Sequence, residues 1–378
     1  MSRVRHVISA VVTAVGLVTA AVANDIAKWD PRMAAEQGVV DTNGVKWIDG
    51  KALPIEGRAF NDVEAYYHRL PKNVTTNVNE GVRWMKRHTS GMQFRFITDS
   101  RKIRVRWTPL KQQYAGDNMS WIGSAGIDAY RREADGTWRF VKTARLSTKR
   151  KEWSFEFDWK PGEPCLLNLP NYEGVRQIAV GIDAQASILA PPPHARVKKP
   201  VVFYGTSITH GASASRPGLA FVNVIGRELD VPVVNLGFSG SGRMEFEMSE
   251  HLARIDASCY VLDCLWNMGL GWISERYEPF IRNLRAKRPG VPIVMAEQSD
   301  VFYRPGQNAN RFKKSNDFVR ALFEKLVAEG WQNLVYLPSE GMYSGDGEGT
   351  IDTVHPNDLG MRTMATAYGK AVKEALGL

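Results

Sequence analysis

Cysteine is scarce. Only Cys165, Cys259 and Cys264 occur in 378 residues, which excludes a scaffold built on disulfides. There is no CxxC and no Cys/His spacing suited to zinc, so no metal site is assigned. Cys259 and Cys264 are five apart on an expected strand and point to opposite faces; they read as unpaired, small buried residues. Internal repeats and long low-complexity tracts are missing. Beyond the N-terminus there is no apolar run of about 18 residues, the length a membrane-spanning helix requires. What remains is a globular composition, 44% apolar and 24% charged, long enough for two domains. Lys+Arg outnumber Asp+Glu by 49 to 40, so basic charge is available for an anionic partner.

The first residues account for part of that charge. Arg3, Arg5 and His6 precede an apolar stretch, Val7 to Val18, and Ala21-Val22-Ala23 is a small-residue cleavage pattern. This reads as a secretory signal over 1–23, with an uncleaved anchor as the alternative. The expected location is therefore secreted or periplasmic, without stable membrane insertion after cleavage. The mature chain would start at Asn24 and carry 47 basic against 40 acidic residues, a net +7.

Two periodicities follow. From about 44 to 190 the pattern is β. Met92, Phe94 and Phe96 alternate with polar residues, as do Ile103, Val105 and Trp107 after a turn at Asp99-Ser100, which predicts a hairpin. Trp153, Phe155, Phe157 and Trp159 alternate likewise, as do Ile178, Val180 and Ile182; Asp135-Gly136 marks a second hairpin turn. Short strands joined by turns predict an antiparallel β-sandwich over 24–195. Pro191-Pro192-Pro193 then predicts a stiff connector. From Val201, short apolar runs near 201–204, 231–235, 260–265, 292–296 and 333–337 alternate with helical stretches. That predicts an α/β domain over 196–378 with a parallel sheet covered on both faces. In such sheets chemistry collects at the carboxyl ends of strands.

Ser207 stands at such an end, in Gly205-Thr206-Ser207. A serine there is either a helix cap or a nucleophile. A nucleophile needs a base, and His355 is the best placed of seven histidines, in a loop before the last helix, with Asp352 three residues earlier to orient its ring. The other reading of Asp-x-x-His is a hydrogen-bonded loop pair. After the second strand comes Phe238-Ser239-Gly240, and after the third Trp266-Asn267. The Ser207 and Gly240 N–H groups and the Asn267 side chain would together make an oxyanion hole; flexible or turn-forming residues are the alternative.

These four blocks resemble the SGNH (GDSL-like) hydrolases, which supply Ser, Gly, Asn and His in that order with an Asp three residues before the His. The resemblance covers about 201–378. Thr206 stands where Asp is usual, and Trp266 where glycine is more usual. Gly126-Ile127-Asp128-Ala129-Tyr130 resembles the Gly-x-Asp-Leu-Tyr signature of a β-sandwich that precedes one subgroup, with Ala129 in place of Leu. The resemblance implies a jelly-roll-like sandwich before a flavodoxin-like three-layer α/β/α domain. It also implies a serine esterase with Ser207, His355 and Asp352 as catalytic residues and Ser207, Gly240 and Asn267 as oxyanion donors, with no cofactor.

The expected substrate is an acylated carbohydrate, with acetyl as the acyl group. A lipid or thioester substrate, or an inactive carbohydrate-binding protein, is the alternative. Charge alone suggests nucleic acid, but no recognised binding motif accompanies it, and none is expected as partner. The oligomeric state is left open. Trp84, Trp107, Trp121, Trp138, Trp153 and Trp159 read as core before sugar platforms. The basic stretch from Arg83 to Arg106 reads as a solvated strand face before a polysaccharide contact. Glu297 ends the fourth strand as a structural or substrate-positioning residue, and Asp346-Gly347-Glu348-Gly349 lacks the ligand pattern of a calcium loop.

Overall fold

Trp153, Phe155 and Phe157 are buried while Ser154, Glu156 and Asp158 between them are exposed, the period-two signature of a strand with one wet face. The computed structural model describes residues 38–112, 116–298, 312–343 and 345–378. The signal expected at 1–23 lies outside the described residues.

The first half holds two antiparallel sheets. One runs in the order β1 (Val39–Val40), β2 (Val45–Asp49), β10 (Val175–Asp183), β5 (Lys102–Pro109) and β8 (Trp153–Asp158). The other runs β11 (Ile188–Leu189), β4 (Gln93–Thr98), β9 (Pro164–Asn168), β6 (Asp128–Arg132) and β7 (Trp138–Thr143), with β3 (Ile55–Glu56) beside β4. Phe94, Phe96, Ile103, Val105, Trp107, Trp153 and Leu167 meet in one core between them. The Asp135-Gly136 turn joins β6 to β7 as a hairpin, as expected.

The hairpin expected around Asp99-Ser100 is not one: β4 and β5 lie in different sheets. Their apolar faces meet across the sandwich instead of side by side. The corner is fixed by Ser100, whose hydroxyl donates to the Lys102 carbonyl (2.7 Å) and accepts from the Asp183 N–H (3.0 Å).

The second half is a five-stranded parallel sheet in the order β13 (Val233–Gly237), β12 (Val201–Gly205), β14 (Cys259–Asp263), β15 (Ile293–Ala296) and β16 (Leu334–Leu337). Successive residues of β12 serve opposite faces. Val201 and Phe203 join one core with Phe221, Ile225, Met361 and Tyr368. Val202 and Tyr204 join the other with Met248, Ile273, Tyr277, Phe280 and Leu322. All three cysteines are buried and free. Among the described residues, no helix is long and apolar enough to cross a membrane.

The segment between β3 and β4 leaves the sandwich. Around a short helix, α1 (Glu80–Met85), it sends Phe60, Leu70, Val78, Val82 and Met85 into the core beneath the parallel sheet. Leu70, Val78 and Val82 are fully buried there. At about 1.5–3 kcal/mol for each such side chain, the two halves share substantial packing energy. Residues 190–200, the proline-rich connector, carry neither helix nor strand.

The basic stretch is largely partnered. Lys86 pairs with Glu64, Arg95 is buried against Glu56, and Arg104 bridges Glu156 and Asp183. Trp107, Trp153 and Trp159 are core; Trp84 lies under Arg87 and Lys111.

Candidate active site

A short helix, α2 (Trp121–Ala125), lies in the sandwich half; strand β12 ends at Gly205, and Thr206 turns the chain into a one-turn helix, α3 (Ser207–His210). Thr206 caps α3, its hydroxyl accepting from the Ile208 N–H at 3.3 Å. Capping thus falls to Thr206, at the position where the resembled family has Asp, and leaves the Ser207 side chain free for another partner. That partner is His355: Ser207 Oγ lies 2.9 Å from its Nε2.

His355 is presented by a turn before helix α8 (Asp358–Leu376). Its own N–H bonds Asp352 Oδ1 at 2.7 Å, the Val354 N–H bonds the same oxygen at 3.0 Å, and its Nδ1 meets Asp352 Oδ2 at 2.7 Å. The turn requires φ of +75° at Thr353, an uncommon conformation for a β-branched residue. Burial pushes the Asp352 carboxyl up, but the bonds from His355, Asn118 and Val354 outweigh it and hold it at about 2. Asp352 is therefore ionised, which favours the His355 tautomer with its proton on Nδ1 and a lone pair facing Ser207.

Gly240 follows β13. Its φ of +63° is the left-handed region that suits glycine, and the turn leaves the Gly240 N–H without a hydrogen-bond acceptor among the described residues. The Ser207 N–H is likewise without one. Asn267, in a short turn after β14, donates from Nδ2 to the Phe238 carbonyl at 3.3 Å, which ties it to the Gly240 loop and leaves its second amide hydrogen over. The five residues singled out in the sequence thus lie at the carboxyl ends of β12, β13 and β14 and in the loop before α8. Of these, Ser207, His355 and Asp352 are joined in one hydrogen-bonded chain.

Several supporting residues were not singled out in the sequence. Asp263, the last residue of β14, is buried and accepts from Thr209 Oγ1 (2.6 Å) on α3 and from Tyr368 Oη (2.8 Å) on α8. Burial raises its carboxyl to about 6. An acid closing an otherwise apolar strand is the one trace the sequence held of this anchor.

The first half supplies the rest. Tyr172 donates its hydroxyl to the Ser207 carbonyl at 3.1 Å. Asn79 Nδ2 donates to the Ser241 carbonyl at 2.7 Å. Arg69, 1% exposed, donates to the carbonyls of Asn235 (3.1 Å), Gly237 (2.8 Å) and Met85 (2.9 Å). Burial lowers its guanidinium to about 9. Beside it, burial and the Arg69 charge keep His88 and His210 well below the usual imidazole range, so His210, three residues after Ser207, is a neutral packing residue. Asn118 reaches Asp352.

Glu297 is buried and accepts from Arg320 (2.7 Å), the Ser339 N–H (2.8 Å) and the Tyr336 hydroxyl, contacts that hold the chain after β16.

Residues 198–373 match the GDSL-like lipase/acylhydrolase family, and residues 45–188 match the N-terminus of SGNH-hydrolase-type esterases, the GxDLY domain. Among solved structures, a protein of Bacteroides ovatus described as a GDSL-like lipase is 29% identical, with a TM-score of 0.78 over 88% of this chain and 98% of its own. The salicylyl-acyltransferase SsfX3 of a tetracycline biosynthetic pathway shares the fold at 18% identity, with a TM-score of 0.69 over 89% of this chain and 99% of its own. A family two carbohydrate esterase from Clostridium thermocellum, in complex with cellohexaose, shares it at 12% identity, with a TM-score of 0.55 over 76% and 93%. No curated protein matches the chain.

Proposed function

The chain belongs to the SGNH (GDSL-like) hydrolases, in the subgroup with a GxDLY-type N-terminal domain, and on that premise we propose that it is an exported serine esterase removing small acyl groups, acetyl foremost, from a carbohydrate. Ester hydrolysis itself accords with its family. The observation that carries the reading is the continuous chain from Ser207 Oγ through His355 to Asp352, at 2.9 and 2.7 Å.

In this mechanism His355 Nε2 takes the Ser207 hydroxyl proton as Oγ attacks the ester carbonyl. The carbonyl oxygen becomes an oxyanion and accepts from the N–H groups of Ser207 and Gly240 and from Asn267 Nδ2, each donor worth roughly 2.7–4 kcal/mol. Collapse of the tetrahedral centre breaks the bond to the alcohol oxygen, which leaves with the proton from His355. Water then attacks the acyl-serine, gives its proton to His355, and releases the acid, with the proton returned to Ser207. Asp352 stays ionised throughout and holds the imidazolium.

The fold, shared with carbohydrate esterases, supports a sugar ester. Leu270, just after the Asn267 turn, is exposed and favours a longer acyl chain as the second reading. Acetate release from acetylated xylan, pectin and mannan is the test. Release from at least one supports the proposal; turnover of fatty acyl esters with no acetate from any glycan overturns the carbohydrate assignment.

A further inference from the structure

We propose that Asn118, on the sandwich loop that leads into α2, is a positioning residue of the hydrolytic site, so that the N-terminal half completes the catalytic apparatus. The proposal rests on the reading of Ser207, His355 and Asp352 given above.

Asn118 Nδ2 stands 2.7 Å from Asp352 Oδ2 and 3.0 Å from His355 Nδ1. With its proton on Nδ1, His355 has no lone pair there to accept, so the amide donates to the carboxylate and packs along the ring edge. Asp352 then has four donors. Those of Val354 and the two of His355 lie within its own turn. Asn118 comes from 234 residues away. Local bonds fix Asp352 relative to His355. Ser215 ties the start of α8 to the segment after Ser207, and Asn118 adds a bond from outside the turn to the Asp352 carboxylate itself.

The loop carrying Asn118 is itself anchored. Ser120 caps α2 through the Gly123 N–H (2.8 Å) and donates its hydroxyl to the Ser215 carbonyl (2.7 Å). Ser215 in turn bonds Asp358, the first residue of α8, through its N–H (2.8 Å) and its hydroxyl (2.5 Å). Gly123 permits the contact: a Cβ there would sit 2.0 Å from the Ala214 carbonyl oxygen. The loop is thus wedged between the segment after Ser207 and the helix after His355. An amide is also the right group for the place, since it donates to a carboxylate without adding charge beside His355.

The test is a mutant cycle on purified full-length enzyme with an aryl acetate, with thermal melting to check the fold. Asn118→Ala is expected to lower kcat by about 10–100-fold with KM changed by less than about threefold, because misplacing a catalytic group by an ångström costs on that order. The isosteric Asn118→Asp is expected to lose at least as much and to move the acid limb of kcat/KM to higher pH, since a second carboxylate favours the His355 imidazolium. In an Asp352→Ala background Asn118→Ala is expected to cost less than about twofold further, because the two residues act through one contact. An Asn118→Ala variant within twofold of the parent overturns the proposal. So does a loss of equal size with and without Asp352, which would mean that Asn118 acts on the fold. Failure of the underlying reading looks different: Ser207→Ala or Asp352→Ala would itself retain full turnover.

Discussion

The Tyr172 hydroxyl donates to the backbone carbonyl of Ser207 at 3.1 Å, while the Tyr172 ring stacks on His210 with 4.1 Å between centroids. A residue of the sandwich therefore holds the segment that presents Ser207. The same carbonyl also accepts from the Gly211 and Ala212 N–H groups, so the tyrosine contributes part of the anchoring. Tyr172→Phe keeps the ring and removes the hydrogen bond to the Ser207 carbonyl. The expected cost is about 0.5–1.5 kcal/mol in stability, read by urea denaturation, with a fall in kcat of less than about tenfold.

Gly240→Ala separates conformation from crowding. A Cβ at Gly240 meets nothing within 4 Å, but φ is +63°. The left-handed backbone costs an L-residue roughly 1–2 kcal/mol. If the turn relaxes, the Gly240 N–H leaves the position proposed for it at the oxyanion, and losing one such donor costs about 10²–10³ in kcat. The expected outcome is a large loss of kcat beside a small drop in melting temperature. Unchanged kcat would remove Gly240 from the oxyanion hole.

Asp263 makes stability depend on pH in a stated direction. Its folded carboxyl is raised to about 6 from 3.8, so between these values the folded chain holds a proton that the unfolded chain has lost. The contribution is fully present below pH 3.8 and is lost as pH rises through 6. Asp263→Asn cannot ionise. It gives up one acceptor for Thr209 or Tyr368 at every pH, yet its stability relative to the parent is expected to improve by about 2 kcal/mol between pH 4 and pH 7. Denaturant melts of both proteins across that range measure it. A constant difference would mean that Asp263 titrates normally.

Residues 196–378 expressed alone are expected to aggregate or to lack activity. Without the segment around α1, the core beneath the parallel sheet loses Phe60, Leu70, Val78, Val82 and Met85, and the Gly237 carbonyl loses Arg69. A soluble, monomeric and fully active fragment would show that the halves are independent.

Much of this site was legible because its residues follow strands whose patterns are plain. The runs ending near Tyr204, Asn235 and Leu265 placed Ser207, Gly240 and Asn267 at strand ends, and Asp352 and His355 are neighbours in sequence. Alternation was a poorer guide to pairing. It identified the buried faces of β4 and β5 but not that they belong to opposite sheets, because period two fixes which side a residue faces and not which strand lies beside it. Arg69, Asn118 and Tyr172 were illegible for another reason. Each acts across the seam between the halves on a partner more than 30 positions away, and docking of that kind leaves no periodicity.

The proposed roles of Ser207 as nucleophile and His355 as its base are open to one direct measurement, treatment with a fluorophosphonate followed by peptide mass mapping. One phosphonyl group per chain is expected, on Ser207, formed in step with the loss of aryl acetate hydrolysis and absent from Ser207→Ala. Much slower labelling is expected in His355→Ala, where no base takes the serine proton. Hydrolysis that survives full labelling of Ser207, or persists in Ser207→Ala, would contradict them.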